Sequence, residues 1–197
     1  MPRGDSRARI RHEAAELLSR DGFHGMGLKA LSDATGLPAG SIYHHFPGGK
    51  DEIAATAIVE TAEAIAQLLE TLLADGVTEE AIGRMFAFMA DRLEATDFVA
   101  GCVVGTPALD DPAPAPRVLG ACASSFERLA EPIVDAFVRE GRSTEDARTM
   151  ATTLLSAYEG ATVLARAQRS REPLDAAASS MSRLVALTRP PSPGTDA

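Results

Sequence analysis

Apolar residues recur at helical spacing along almost the whole chain, and no stretch shows the sustained alternation of a half-buried strand. Within residues 6–20, for example, Ile10, Ala14, Leu17 and Leu18 fall at positions i, i+4, i+7 and i+8. The pattern therefore predicts an all-α protein. The predicted helices cover residues 6–20, 28–35, 39–46, 50–73, 78–94, 117–139, 144–169 and 173–187, with a short helix or turn over 102–109.

Glycine and proline separate these helices. We expect the first helix to end at Asp21-Gly22 and the second to stop at Gly36. The segment 110–116 carries three prolines at alternate positions, which impose extended geometry, so it is predicted to be a linker or a mobile wall. The composition of residues 189–197 predicts a disordered tail.

Charge is distributed unevenly along the chain. Residues 1–50 contain seven basic and five acidic side chains, a net charge of +2, and all four histidines. The remainder carries −11, within a total of −9 for 197 residues. An acidic chain does not cling to nucleic acid over its whole surface, so any DNA contact is expected from the N-terminal patch.

The N-terminal quarter has the layout of a helix-turn-helix. Three short helices are predicted there, and the turn Thr35-Gly-Leu-Pro-Ala-Gly40 joins the second to the third. The sequence Gly22-Phe23, followed by LKALSDATGLPAGSIYHHFPGGK over residues 28–50, closely resembles the signature of the tetracycline-repressor (TetR) family. Pro38 and Gly27 stand where that family usually has a capping hydroxyl.

Candidate DNA contacts follow from the chemistry of the third helix. Ala39, Gly40 and Ser41 are small enough for close approach to the major groove, and the Ser41 hydroxyl can donate to a phosphate or a base edge. Ile42 and Phe46 are expected to face the module's own core. The resemblance implies that Tyr43, His44 and Lys50 contact the DNA backbone, with Lys50 at the positive start of the fourth helix. Lys29 and one of Arg7 or Arg9 are further phosphate candidates.

The acidic body resembles the branch of the family related to the lincomycin-resistance repressor. The resemblance rests on Gly101-Cys-Val-Val104 and on YEGATVLARAQRSREPL over residues 158–174. It implies an apolar effector pocket among the fifth to eighth helices and a four-helix dimer interface from the last two helices of each subunit. The candidate effector contacts are Met85, Phe86, Met89, Cys102, Cys122, Phe126, Met150, Leu154 and Tyr158. The candidate interface residues are Ala157, Gly160, Ala161, Ala165, Ala177, Met181 and Leu184.

These features predict a helix-turn-helix domain over 1–50, a ligand-binding and dimerisation domain over 51–188, and the tail. The expected partners are double-stranded operator DNA, a small-molecule effector and a second copy of the chain, with no cofactor or metal. Three glutamates interrupt the most apolar stretch, 53–74, so no membrane span is expected, and the cytoplasm is the default location. The resulting hypothesis is a repressor whose fourth helix moves when effector binds.

Other functions are less consistent with the sequence. The adjacent His44 and His45 point in different directions along a helix and lack ligand partners nearby, which disfavours a metal site. Gly48-Gly49-Lys50 lacks the strand and the other residues of a phosphate-binding loop. Two alternatives stay open: an all-α enzyme using Cys102 or Tyr158, and a helical adaptor that binds no DNA.

Overall fold

The computed structural model describes residues 3–110 and 113–190. Within those ranges every regular element is a helix, so the all-α prediction is confirmed. The helices are α1 (Arg3–Gly25), α2 (Leu28–Thr35), α3 (Ala39–His45), α4 (Gly49–Leu72), α5 (Glu79–Ala95), α6 (Gly105–Ala108), α7 (Pro116–Arg139), α8 (Thr144–Gln168) and α9 (Glu172–Leu187). Part of the proline segment, 111–112, and the tail from 191 onward lie outside the described residues.

The predicted end of the first helix at Asp21-Gly22 is wrong. Gly22 does adopt a non-helical backbone (φ 69°, ψ −172°), but helical structure resumes and reaches Gly25. The interruption is therefore a kink rather than a terminus. A positive φ costs glycine little and other residues more, which explains the residue type at this bend.

The chain packs as two compact units. The first comprises residues up to 65 together with 99–128, and the second comprises 66–98 together with 129 onward. Both α4 and α7 contribute to the two units, because the boundaries fall inside these helices. The first unit thus contains α1–α3, α6 and the N-terminal parts of α4 and α7.

The first unit surrounds a core of fully buried apolar side chains from α1, α3 and α4. Ile10, Leu18, Ile42, Phe46 and Ile53 are all at most 1% exposed. Burying such side chains contributes roughly 1.5–3 kcal/mol each before the entropy of ordering is subtracted. The long periodic helices therefore hold the short α3 in place, since a helix of seven residues is not stable alone.

The second unit is built on α5, α8 and α9. Ile82, Phe86 and Leu93 form the buried stripe of α5, while Leu174 and Val185 are the buried residues of α9. Thr78 caps α5 by accepting a hydrogen bond from the Ala81 amide at 3.1 Å. Ser143 caps α8 in the same way, from the Asp146 amide at 3.1 Å. These hydroxyl caps satisfy helix-end donors and fix where each helix begins.

Candidate nucleic-acid interface

The turn between α2 and α3 is held by backbone contacts and one threonine. Gly36 adopts the left-handed conformation (φ 65°, ψ 17°), and its amide donates to the Ser32 carbonyl. The Thr35 hydroxyl donates to the Leu31 carbonyl at 2.5 Å and accepts from the Leu37 amide at 3.3 Å. Pro38 precedes α3 with φ −67° and forms no side-chain cap. The fixed backbone of Pro38 thus stands before α3 in place of a residue with a capping hydroxyl.

The outer face of α3 is open. Ala39, Gly40, Tyr43 and His44 are exposed and Ser41 is half-buried. A Cβ atom built on Gly40 would meet nothing within 4 Å. On the opposite face Ile42 and Phe46 are completely buried, as the sequence predicts. The helix therefore presents its small N-terminal residues and two polar tips away from the core.

Arg7 lies behind α3 rather than in front of it. Its guanidinium donates to the His45 carbonyl, at the C-terminal end of α3, and lies 4.2 Å from the centroid of the Phe46 ring. A cation is favourable at the negative end of a helix and over an aromatic face. Arg7 therefore fixes α1 against the end of the candidate recognition helix. Sequence reasoning missed this role, because the partner is a backbone carbonyl 38 residues away.

Lys50 stands over an aromatic ring at the start of α4. Its Nζ lies 4.2 Å from the centroid of Phe23 and donates a long hydrogen bond to the His24 carbonyl at 3.5 Å. Burial lowers the pKa of Lys50, against an opposing effect of Asp51 and Asp110. The end of α1 thus orients the ammonium group at the beginning of α4.

Lys29 is on the exposed surface of α2. Its Nζ pairs with Asp33 Oδ2 at 2.6 Å, one helical turn away. The hydrogen bond from Lys29 to that carboxylate raises the pKa of Lys29. Because both side chains are open to solvent, Lys29 can leave Asp33 and bind another anion at a small cost in free energy.

Asp110 joins the end of α6 to the bend in α1. Its Oδ2 accepts from the amides of Phe23, at 2.6 Å, and His24, at 3.2 Å. The Ser19 carbonyl accepts from the Gly101 amide at 2.7 Å, a second link between these segments. The carboxylate satisfies amides that the kink removes from the helical ladder. Asp110 was not among the sequence candidates, because nothing local in the sequence marks it.

The candidate effector residues fall in both compact units. In the second unit Met85, Phe86, Met89 and Leu154 are buried and Met150 and Tyr158 are half-buried. The rings of Phe86 and Tyr158 meet edge to face with centroids 5.4 Å apart. In the first unit Cys102 and Cys122 are buried and Phe126 is half-buried.

The two cysteines sit in different local surroundings. The Cys102 sulfur accepts a hydrogen bond from the Val104 amide at 3.4 Å. Burial, reinforced by Asp110, raises the pKa of the Cys122 thiol from 9.0 to about 11. Because the thiolate is the reactive form, Cys122 is poorly suited to act as a nucleophile or redox sensor near neutral pH.

A groove of about 260 Å³ lies within the first unit, between α1 and α4. The Arg11–Glu60 ion pair lies in this groove. None of the candidate effector residues lines it. Its lining residues are Ala8, Arg11, His12, Ala15, Ala57, Glu60, Thr61 and Ala64.

The candidate interface residues of α8 and α9 differ in exposure. Gly160 is exposed, whereas Ala161 and Ala165 are 5% and 0% exposed and face the interior of the chain. The other four candidates, Ala157, Ala177, Met181 and Leu184, are half-buried. The large exposed apolar residues on these helices are Val163, Leu164 and Leu187, at 51%, 52% and 86%. The selection of small residues from the sequence passed over them.

Within the described ranges, no group of three histidine, cysteine or acidic side chains is placed to hold a metal ion. His44 and His45 meet edge to face with centroids 5.4 Å apart. Among the same residues, no helix has the length and apolarity needed to cross a membrane.

Comparison with known proteins matches both parts of the chain to regulators. Residues 10–57 match the model of bacterial regulatory proteins of the tetR family, and residues 78–180 match the LmrA/YxaF-like C-terminal domain of transcriptional regulators. The regulator YxaF of Bacillus subtilis is 28% identical, over 87% of this chain and 91% of that protein. The regulator LmrA of the same organism is 29% identical, over 88% of this chain and 93% of LmrA.

Solved structures of the same fold agree with this match. A TetR regulator from Legionella pneumophila superposes with a TM-score of 0.78 at 22% identity, covering 89% of this chain and 95% of that one. A TetR-family regulator from Agrobacterium tumefaciens gives 0.79 at 20% identity, covering 93% and 98%. The second family model spans more than half of the sequence, and α2 and α3 are joined by a three-residue turn, as in a helix-turn-helix. The chain is therefore a DNA-binding transcriptional regulator of the TetR family, with a C-terminal domain of the LmrA/YxaF-like type.

Proposed function

We propose that this regulator is a repressor that binds its operator as a homodimer and releases it when a small apolar effector binds. The observation that carries the proposal is the outer face of α3, where Ala39, Gly40, Tyr43 and His44 are exposed while Ile42 and Phe46 anchor the helix from behind. A helix held in this way can enter the major groove without unfolding its support. The cytoplasm, where operator DNA is accessible, is the proposed location.

The proposed contacts divide into two groups. Ala39, Gly40 and Ser41 form the leading turn of α3 and approach base edges. Tyr43, His44, Lys50 and Lys29 contact phosphates, which position the protein without specifying sequence. Exposure of Tyr43 and His44, and the solvent-exposed Lys29–Asp33 pair, support this assignment.

The proposed effector is small and apolar. Within the second unit, Met85, Phe86, Met89, Met150, Leu154 and Tyr158 supply adaptable and aromatic surface for it. The Bacillus subtilis regulator FadR was solved in complex with stearoyl-CoA, and it matches this chain with a TM-score of 0.68 at 14% identity. The ligand of that protein carries a long acyl chain, which supports the proposal that the effector of this regulator is at least partly apolar. Cys102, Cys122 and Phe126, in the first unit, stay predictions as effector contacts.

The proposed mechanism is a population shift carried by α4. This helix runs without interruption from Gly49 to Leu72, and Lys50 lies in its first turn. We consider two states of the protein, one in which α4 allows operator binding and one in which it does not. An effector that binds the second state more tightly lowers operator affinity, at most by the ratio of its affinities for the two states. Two-fold pairing through α8 and α9 sets the separation of the α3 helices, which must match half-sites about 34 Å apart or a multiple of that distance.

The first experiment selects binding duplexes from a random double-stranded DNA pool with the full-length protein. Gel shifts then compare the wild type with the double variant Tyr43→Phe/Lys50→Ala, which we expect to abolish retention. Arg148→Ala is the matched control, because Arg148 is an exposed cation on α8. Equal retention by the two variants would contradict the proposed DNA interface, and no enrichment would favour a non-DNA adaptor.

The second experiment tests ligand response. Small apolar compounds are screened for those that raise the melting temperature of the protein, and each is added to the complex with a selected duplex. We expect at least one stabilising compound to weaken operator binding by about 5- to 150-fold, the usual range of coupling. Stabilising compounds that leave operator affinity unchanged would refute release by effector.

A further inference from the structure

We propose that Arg117, in the first turn of α7, is a further DNA-contacting residue that binds an operator phosphate beside Tyr43 and Lys50. The inference rests on the proposed DNA interface and extends it beyond the N-terminal motif. Arg117 lies 60 residues after the end of the matched tetR-family region, 10–57, and it was not among the sequence candidates.

The geometry places Arg117 at the turn between α3 and α4. A Cβ atom built on Gly48 would lie 3.3 Å from Arg117 Nη1, and one built on Gly49 would lie 3.6 Å from Tyr43 Cε1. Arg117 and Tyr43 therefore flank the same pair of glycines, and the next residue is Lys50. All of these residues belong to the first compact unit, which includes the start of α7.

Arg117 is available to an anion from outside the chain, whereas Asp51 and Asp110 already act on the nearby Lys50. Three other cations of the unit have partners: Arg11 pairs with Glu60, Arg128 with Glu63, and Arg7 binds the end of α3. Arg117 is exposed, and it forms no hydrogen bond or ion pair with the residues whose side chains the structure describes, 6–110 and 113–190. A planar guanidinium of this kind is well suited to bind phosphate oxygens.

Helix stability does not explain an arginine at this position. Cations are favourable at the C-terminal end of a helix and unfavourable at the N-terminal end. The first turn of α7 nevertheless carries Arg117 and no acidic residue, whereas α4, α5, α8 and α9 each have acidic residues in their first turns. Arg117 therefore places a positive charge beside the two glycines that Tyr43 also flanks.

The carboxylate of Glu52 also lies at this glycine turn, so it offers a competing explanation. Its Oε2 accepts from the Gly48 amide at 2.7 Å, and a Cβ on Gly48 would lie 2.9 Å from the same oxygen. Arg117 could then serve only to offset the Glu52 charge. The two explanations predict different operator affinities for a variant in which the charges of both Arg117 and Glu52 are removed.

A phosphate contact from α7 has a regulatory consequence. The other proposed contacts belong to α2, α3 and the start of α4, and Arg117 alone among them belongs to the segment after α6. A displacement of the first turn of α7 therefore removes a phosphate contact in each subunit without any change in α3.

The test measures the affinity of full-length variants for a selected duplex by fluorescence anisotropy over a series of KCl concentrations. For Arg117→Ala we expect the slope of log K against log [KCl] to become shallower by about 1 per subunit. Affinity should fall by about 10- to 100-fold, nearly equally for strong and weak duplexes. Arg117→Lys should keep most of the slope, and Arg148→Ala should leave both quantities at wild-type values. Melting temperatures establish that all variants are folded.

Three results would overturn the inference. In the first, Arg117→Ala matches Arg148→Ala in slope and affinity. In the second, affinity falls while the slope is unchanged, which indicates an indirect effect through the Gly48 turn. In the third, Arg117→Ala/Glu52→Gln regains wild-type affinity and slope, which shows that Arg117 only offsets Glu52. Failure of the wild type to select any duplex is a separate result: it refutes the proposed DNA interface itself, and this inference with it.

Discussion

At the scale of single residues, Gly22 is constrained by both backbone and space. Its φ of 69° lies in the left-handed region, and a Cβ atom there would lie 2.3 Å from Asp110 Oδ1. We expect Gly22→Ala to destabilise the protein by roughly 1–3 kcal/mol, because alanine is strained at this φ and displaces the carboxylate. The measurement is urea unfolding followed by circular dichroism.

Gly120→Ala is the matched control for this prediction. Gly120 lies within α7, in the same compact unit, and a Cβ atom there would meet nothing within 4 Å. Alanine should stabilise the helix at this site by roughly 0.5–1 kcal/mol. The two substitutions are thus expected to have opposite signs, and a stabilising Gly22→Ala would show that the bend is not required.

Cys122 makes a prediction about pH. Its thiol pKa is raised from 9.0 to about 11 in the folded protein, mainly by burial. The unfolded chain therefore loses its proton first as the pH rises, so this thiol's contribution to stability is complete below pH 9 and is lost between pH 9 and 11. The loss amounts to roughly 1–3 kcal/mol, because a tenfold difference in proton affinity corresponds to about 1.4 kcal/mol. Unfolding free energies measured across this pH range provide the test.

The variant Cys122→Ala isolates that contribution, since lysines and tyrosines also titrate at alkaline pH. We expect the free energy of unfolding to fall less steeply in the variant than in the wild type between pH 9 and 11. Parallel curves would mean that the thiol has an ordinary pKa. Labelling of Cys122 in the native protein with a thiol reagent should likewise stay slow at pH 8, because little of this thiol is ionised.

At the scale of elements, the contact between α6 and α1 depends on Asp110. We expect Asp110→Ala to cost roughly 1–3 kcal/mol of stability, because the amide of the buried Phe23 loses its partly buried acceptor. Operator affinity should also fall, since the Phe23 ring lies beneath the Lys50 ammonium. Asp110→Asn, which keeps an acceptor oxygen, should recover part of both losses. Urea unfolding and anisotropy with a selected duplex measure the two effects.

Asp135→Ala is the control for the removal of one negative charge. Asp135 is exposed on α7 and has no hydrogen bond within the described part of the chain. Its replacement should change stability by less than about 0.5 kcal/mol. If Asp110→Ala behaved like this control, the carboxylate would not be needed to hold the end of α1.

The helices themselves were predictable because local signals agree with one another. The observed α2, Leu28–Thr35, has the predicted bounds, with a glycine in the left-handed conformation directly after it. The continuation of α1 beyond Gly22 was not predictable, because the acceptor for its amides comes from Asp110, 87 residues from Phe23. Periodicity gives the type of an element, whereas a kink stabilised by a distant side chain leaves no local signal.

In the candidate DNA interface, too, the features set by neighbouring residues were predictable and those set by residues far away in the sequence were not. The exposed and buried faces of α3 followed from its residue types, with Tyr43 outside and Ile42 inside. The position of Arg7 behind that helix, and of Arg117 beside the Gly48 turn, depends on how α1 and α7 pack. A basic residue in the sequence is therefore a candidate phosphate contact, but the packing of the helices determines which anion or carbonyl its side chain binds.

At the scale of the whole molecule, pairing through α8 and α9 is the remaining requirement of the proposed function. Val163 and Leu164 are about half exposed on α8, next to the exposed Gly160. Homodimer interfaces are more apolar than the remaining protein surface, so exposed apolar side chains on these helices are candidates for the buried centre of the interface. Placing a charge among them should therefore prevent association.

We expect Leu164→Arg to convert a dimer into monomers in sedimentation velocity, because the guanidinium would be buried without a partner. Leu68→Arg is the matched control, since Leu68 on α4 is 51% exposed against 52% for Leu164. The monomeric variant should also lose high-affinity binding to a selected duplex, because one recognition helix then engages only one half-site. A Leu164→Arg protein that stayed dimeric would place the pairing surface elsewhere on the molecule, and a monomer with undiminished operator affinity would remove the need for two-fold symmetry altogether.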